Sequence, residues 1–464
     1  MQLNREILRL ALPSILANIT VPLVGMVDMA IAGHLGGGGV SAAALIGGIT
    51  IGTMLFDLLY WNFGFLRVGT GGLTAQAFGR GDPADGILRR ALRIALLSGL
   101  GLLLLQWAVV WLAFRVVDCT PEVRQLATQY FYIRIWAAPA TLSLFAFKGW
   151  FIGLQDTLRP MTADLLVNGT NIAASLGLAL ALGFPGIALG TVLAQWSGFL
   201  YCLLAARRRY GWHLTRYKST TCENFSAPIG TEKNQESVDN EVVKRQFFSF
   251  NRDLILRSVG MIAVYIGFTV ISARYGDVLL AVSAILMKFL MFFSYFTDGF
   301  AYAGEALTGR FIGEGSREGV TATVRGTFLW GLGVMVLFLL VYGLGGVPLL
   351  RLMTDDAAVV EAGRAYLPWL LLMPLIGCPA FVWDGIFIGA TASKDLRNST
   401  LLCAVGFFAV WFAGVRLMNS PEAAIHLLMA AYFVHLAIRA GYLTLRYRPA
   451  VYATVPPSRR GERR

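Results

Sequence analysis

The sequence predicts an all-α membrane protein of about twelve transmembrane helices in two six-helix, pseudo-symmetric lobes. Three observations predict it. Hydrophobic residues make up 56% of the 464 positions and charged residues 14%, with a mean hydropathy of +0.63. A surface that faces water carries roughly a quarter charged residues, so most of this surface faces something else. Apolar runs such as Ile94–Phe114 and Phe328–Leu350 match the ~20 helical residues that cross a hydrocarbon core, and they lack the period-2 alternation of an outer-membrane strand. Short motifs also recur once, in the same order, half a chain apart.

Residues 1–206 form the expected N-terminal lobe, with spans at 7–32, 45–68, 92–114, 128–153, 161–182 and 184–206. Arg5 and Arg9 precede the first apolar stretch. It runs on through Ala32 with no small-residue cleavage site, so it reads as a spanning helix and not a signal peptide. Pro13 and Pro22 inside it each remove a backbone hydrogen bond and bend the helix, as a hinge or as a static kink. Asp28 sits near its outer end. Span two carries Asp57, Trp61 and Arg67, and span four carries Lys148. In span five, Asp164, Asn168, Asn171 and Ser175 follow i, i+4, i+7, i+11 and share one face. Such a stripe faces protein or water, not lipid. Its oxygens suit a hard cation or a partner carboxyl, and hydrogen bonds between helices would use them equally well.

A polar stretch, 207–250, is the expected cytoplasmic linker, rich in Glu, Asn, Ser and Lys and flexible by composition. The C-terminal lobe follows over 251–445, with spans at 254–273, 277–308, 327–350, 366–391, 398–418 and 423–445. Span eight has a second stripe, Tyr295, Asp298, Tyr302 and Glu305. Acids among aromatic faces can receive an organic cation, or the rings can simply pack. Asp384 lies in span ten, Lys288 in span eight, and residues 446–464 read as a basic, disordered cytoplasmic tail.

The halves repeat. Tyr130 and Phe151-Ile152-Gly153 match Tyr366 and Phe387-Ile388-Gly389 at an offset of 236. Asp156-Thr157-Leu158-Arg159 finds a counterpart in Asp395-Leu396-Arg397, and Asn4-Arg5-Glu6 in Asn251-Arg252-Asp253. Thr74 and the Gly79-Arg80-Gly81 turn align with Thr308 and Gly313-Glu314-Gly315. Parallel six-helix repeats are a transporter architecture with the substrate site at their interface.

Basic residues set the topology. About 25 of the 39 Lys and Arg fall on the side of the termini and about five opposite, which places both termini in the cytoplasm of a multi-pass protein. The net charge of +12 is thereby accounted for by topology and anionic lipid, with no need of nucleic acid. Cys119, Cys202, Cys222, Cys378 and Cys403 show no paired spacing, so neither a disulfide framework nor a zinc site is expected. No phosphate-binding Gly-rich loop or ATPase domain is present, so no cofactor is expected and the expected energy source is an ion gradient, unless a partner supplies it. Acids inside spans are costly and mark ion or substrate paths, or pair as structural salt bridges.

Pro13, Val27-Asp28, Gly33-His34-Leu35-Gly36, Asn171 and the Gly186–Thr191 segment, together with the duplicated twelve-span layout, resemble the multidrug and toxic compound extrusion (MATE) family. Tyr60–Gln76, Asp298–Arg310 and Trp383–Lys394 look specifically like its DNA-damage-inducible F (DinF) branch. The resemblance covers nearly all of residues 1–445. It implies two lobes around a cleft that opens alternately to each side of a bacterial inner membrane. It further implies proton- or sodium-coupled export of organic cations or amphipathic drugs by a protein that is not an enzyme. The family's first-lobe cation site corresponds here to Asp28, Asn171, Ser175 and Thr191, and Ser175 replaces the usual carboxylate. One acid fewer disfavours Na⁺ at Asp28, so the expected coupling ion is H⁺, with Na⁺ the alternative. Asp164 lies ~16 Å along the helix from Ser175, too far to substitute for that carboxylate. The expected cleft residues are Asp57, Trp61, Arg67, Lys148, Tyr295, Asp298, Tyr302, Glu305 and Asp384, and the expected state is a monomer in the lipid bilayer. A lipid-linked oligosaccharide flippase of the same superfamily is the alternative and would show a more basic cleft. A membrane-embedded enzyme or a non-transporting scaffold are the readings from other classes.

Overall fold

The computed structural model describes residues 2–34, 42–116, 119–211, 232–275, 277–353, 357–418 and 420–456. Among them the chain is helical with no strand. The first lobe comprises α1 (Gln2–His34), α2 (Ala42–Trp61), α3 (Phe65–Arg80), α4 (Asp85–Leu104), α5 (Gln106–Val116), α6 (Pro121–Arg134), α7 (Ala138–Gly153), α8 (Leu158–Leu182) and α9 (Phe184–Tyr210). The second comprises α10 (Glu232–Ala273), α11 (Asp277–Gly313), α12 (Arg317–Met353), α13 (Ala357–Arg364), α14 (Leu367–Leu372), α15 (Cys378–Gly389), α16 (Ser393–Gly414) and α17 (Pro421–Ala450).

Ten stretches of the described residues are long and apolar enough to cross a membrane, and α4 with α5, bent by 64°, makes an eleventh. The 33 residues of α1 extend ~50 Å at the helical rise, and ten or eleven of the about twelve expected spans are found among the described residues. Large apolar side chains such as Leu104, Trp107, Leu180 and Leu344 stand exposed on the outside, which suits a surface solvated by lipid.

The duplication is visible in the backbone. Gln155 (φ 62) and Thr391 (φ 54), 236 positions apart, are the non-glycine residues in the left-handed region among the described residues. Each ends its helix with the same pair of bonds. Gln155 N donates to Ile152 O and Asp156 N to Phe151 O, while Thr391 N donates to Ile388 O and Ala392 N to Phe387 O. This is the Schellman pattern, which satisfies the last carbonyls of a helix and turns the chain sharply. Gly81 (φ 78) and Gly315 (φ 71) repeat it between the preceding helices. The same spans also break alike. A 3₁₀ turn at Ile135–Ala137 separates α6 from α7, and a π turn at Met373–Gly377 separates α14 from α15.

The lobes meet through α1, α3, α10, α11 and α15. Arg310 of α11 pairs with Glu6 of α1 at 2.7 Å. Gln76 of α3 donates to Thr391 Oγ1 at 3.1 Å, and Arg310 donates to Gln155 Oε1 at 3.3 Å. The two strained residues thus each accept a bond from the opposite lobe, in pseudo-symmetric fashion. An apolar core runs across the seam from Phe65 and Leu66 to Phe293 and Phe387.

Three expectations change. The span expected at 45–68 is broken by a turn at residues 62–64, where Asn62 bonds back to Leu58 O and Gly64 N to Trp61 O. Within the flexible linker expected at 207–250, α9 continues to Tyr210 and α10 begins at Glu232, because extending an existing helix needs no new nucleus. Residues 212–231, including Cys222, lie outside the described residues. The tail expected to be disordered from 446 stays helical to Ala450, and Val451 and Val455 are buried against the second-lobe core. Their burial offsets the cost of ordering them. Residues 457–464, Leu35, Gly36 and the side chains of Pro22, Gly33 and His34 lie outside the described residues, while Pro13 is buried within an unbroken α1.

Candidate functional site

The first-lobe constellation is assembled by a tight hairpin. Gly183 (φ 68) turns α8 into α9, and Gly190 lets α9 approach so closely that a Cβ there would collide with Ser175. Thr191 therefore lands beside Asn171, whose Nδ2 donates to Thr191 Oγ1 at 3.0 Å. The Ser175 hydroxyl donates to Ile187 O at 3.2 Å and also faces Asp28 on α1. Asp28 is 6% exposed. Its Oδ1 and Asn171 Oδ1 accept no hydrogen bond among the described residues. Two buried acceptors left open within one α1–α8–α9 corner are costly, and they form a site able to hold a proton or a small cation.

The expected span-five stripe divides. Asn171 and Ser175 join Asp28 and Thr191, whereas Asn168 donates to Thr20 Oγ1 at 2.6 Å and Asp164 pairs with Lys148. Asp164 and Lys148 thus complete each other inside the first lobe, where the stripe meets α1 and α7.

Arg134, at the end of α6, was missing from the sequence-based set. It donates to Tyr130 OH at 3.0 Å and Thr53 Oγ1 at 3.3 Å and lies 4.8 Å from the centre of the Phe56 ring. Both Asp28 and Asp57 feel its charge, and the exposed Asp57 also feels Lys288 of the other lobe. The signal was available: an arginine six residues inside the span expected at 128–153.

At the seam between the lobes lies a second cluster. Glu305 is fully buried and sits 3.5 Å from Arg67, whose guanidinium lies 4.5 Å from the centre of the Tyr302 ring. A Cβ on Gly71 would collide with Glu305 Oε1, so that glycine provides the notch holding the carboxylate. Asp384 accepts from Arg257 at 2.6 Å and from Arg439. Asp298 lies in the combined field of Arg67, Arg439 and Arg257. Tyr295 O accepts from Asn18 across the seam at 3.4 Å, and Trp61 meets Tyr265 edge-on at 5.2 Å.

Three arginines thus face three acids, and of the arginines only Arg67 is in the expected cleft set. Arg257 and Arg439 were missed because they reach in from α10 and α17, helices without a polar stripe. Each was legible only as a single charge within an apolar run. No group of three or more His, Cys, Asp or Glu side chains arranged to hold a metal ion occurs among the described residues.

Two helical lobes packed across a seam of buried ionisable groups have the architecture of a membrane transporter. The MatE family model matches residues 13–176 and 254–411, one segment in each lobe, and the chain belongs to the MatE (multidrug and toxic compound extrusion) family, whose members are transporters and not enzymes. It is 32% identical over 452 residues to the DNA damage-inducible protein F of Escherichia coli (strain K12), covering 96% of this chain and 92% of that one. It is 21% identical over 427 residues to a Thermotoga maritima protein described as "Probable multidrug resistance protein NorM", covering 89% and 84%. The fold resembles the crystal structure of the Vibrio cholerae MATE transporter VcmN in its bent form, with a TM-score of 0.79 at 17% identity and 98% of each chain covered.

Proposed function

We propose that this chain is a secondary-active exporter of organic cations and amphipathic drugs, exchanging them for protons as its lobes open alternately to either side of a bacterial inner membrane. The observation that carries the reading is the buried Asp28 carboxylate, with an oxygen that accepts no hydrogen bond among the described residues. A proton removes that charge without needing space. Sodium would need several oxygen ligands and net negative charge, but Ser175 stands where the family carries a second carboxylate and Arg134 adds a fixed positive charge to the lobe. The name of the Thermotoga relative supports drugs as substrates.

The excess of Lys and Arg on the side of the termini supports cytoplasmic termini. The inter-lobe bonds of Glu6, Gln76, Gln155, Arg310 and Thr391 all lie at the helix ends nearest that side. In that orientation these bonds hold the seam together on the cytoplasmic side.

The test is export of a fluorescent organic cation from proteoliposomes under separate proton and sodium gradients, with Asp28→Asn alongside. Proton-driven export that is lost in the variant is the expected result. Export driven by sodium alone would overturn proton coupling. The arginine trio favours one second reading, a lipid-linked diphosphate as cargo. If neither gradient drives drug export while a lipid-linked oligosaccharide is flipped, that reading replaces the first.

A further inference from the structure

At the end of the molecule that carries the termini, two adjoining cavities of about 510 and 910 Å³ lie between α1 of the first lobe and α12 of the second. They share Glu318 and Ala322 as a common wall. Arg5 and Arg9 line one, and Arg317 and Arg325 the other. All four are exposed, and among the described residues none of them is joined in an ion pair. The neighbouring Arg310 is already committed to Glu6 and Glu314, which leaves Glu318 as the remaining acid beside the four arginines that line the groove. Arg317 is held over the Tyr452 ring at 5.5 Å from its centre.

The groove does not end in water. Leu329 lines it and is exposed, as are Leu332, Val336 and Leu340. These four positions fall at i, i+3, i+7 and i+11 on α12, a single apolar face leading from the arginines along the membrane-crossing part of the helix. A bare anion would use the arginines and leave the track unused. A lipid uses both.

We propose that this groove binds the phosphodiester headgroup of an anionic phospholipid, with an acyl chain lying along Leu329, Leu332, Val336 and Leu340. Basic pockets between transmembrane helices recognise such headgroups. Because α1 and α12 belong to different lobes, the bound lipid favours the state in which they are apposed. Lipid binding in this groove does not depend on which substrate is exported.

The experiment is native mass spectrometry of the full-length protein titrated with phosphatidylglycerol, phosphatidylcholine, or tail-less glycerol phosphate. One phosphatidylglycerol is expected to be retained, with phosphatidylcholine lost and glycerol phosphate unable to displace it. Arg317→Gln with Arg325→Gln is expected to weaken retention ~30-fold, from two arginines at a membrane surface. Arg207→Gln with Arg208→Gln, two exposed arginines at the end of α9, removes equal charge from the same side and is expected to leave retention unchanged. Equal loss in both pairs would mean generic surface charge, and displacement by glycerol phosphate would mean a free-anion site. Either result overturns the proposal. Should the α12 pair fail to fold, Leu329→Asn keeps every arginine and interrupts the track, and undiminished retention there overturns it equally.

Discussion

At the scale of single residues, Asp28 and Arg134 divide the electrostatic work of the first lobe. Asp28 supplies a buried charge that a proton can cancel, and Arg134 supplies one that nothing cancels, since a guanidinium stays protonated. If that fixed charge is what excludes sodium, Arg134→Gln raises the apparent sodium affinity on the order of tenfold, the effect of one unit charge several ångströms away in a partly polar interior. A sodium gradient would then begin to drive export, while proton-driven export slows. Continued indifference to sodium in this variant would remove Arg134 from the explanation and leave Ser175 alone to account for the preference.

Among the elements, the paired helix ends at Gln155 and Thr391 make the clearest case of local strain with a structural use. A non-glycine residue in the left-handed region costs ~1–2 kcal/mol, yet both halves carry one at the same place. The side chains explain it, because each accepts a hydrogen bond from the other lobe. Thr391→Ala and Thr391→Gly both lose that bond, but only glycine relieves the backbone. The glycine variant is therefore expected to be the more stable of the two by about 1 kcal/mol, read as the higher thermal midpoint in detergent. This reverses their order inside an ordinary helix. Equal midpoints would show that the turn is not strained.

For the whole molecule, the seam joins two lobes that must part during transport, so its charges are a compromise between holding and releasing. Arg67 and Glu305 are the pair most directly across it, with Glu305 seated in the notch at Gly71. Replacing one partner leaves a buried charge unpaired, which costs about 3–5 kcal/mol at full burial and less here, because Arg67 is 20% exposed. Glu305→Gln with Arg67→Gln together is expected to be less damaging than the two single changes summed, with a coupling of about 0.5–3 kcal/mol read from thermal midpoints. Additive losses would mean that the pair is not a unit and that Arg67 is held mainly by Tyr302.

The class of the molecule follows from composition and local pattern. Length, apolar runs and the ~20-residue crossing requirement dictate membrane-spanning helices, and the repeated Phe-Ile-Gly motifs already divide the chain into two like halves. The sequence also brought Asn171 and Ser175 onto one face, because their spacing is local and helical geometry alone places them together. Which charges meet depends on how the helices pack. Asp164 matches Asn171 in register, yet it belongs to Lys148. Asp384 reads as an isolated acid, yet Arg257 and Arg439 close on it from helices 127 and 55 positions away in sequence. Long side chains pair across whatever helices packing brings side by side, and packing is fixed by small-residue contacts such as Gly190 on Ser175 and Gly71 on Glu305. No periodicity along one helix records those contacts, so the elements were legible and their electrostatic partners were not.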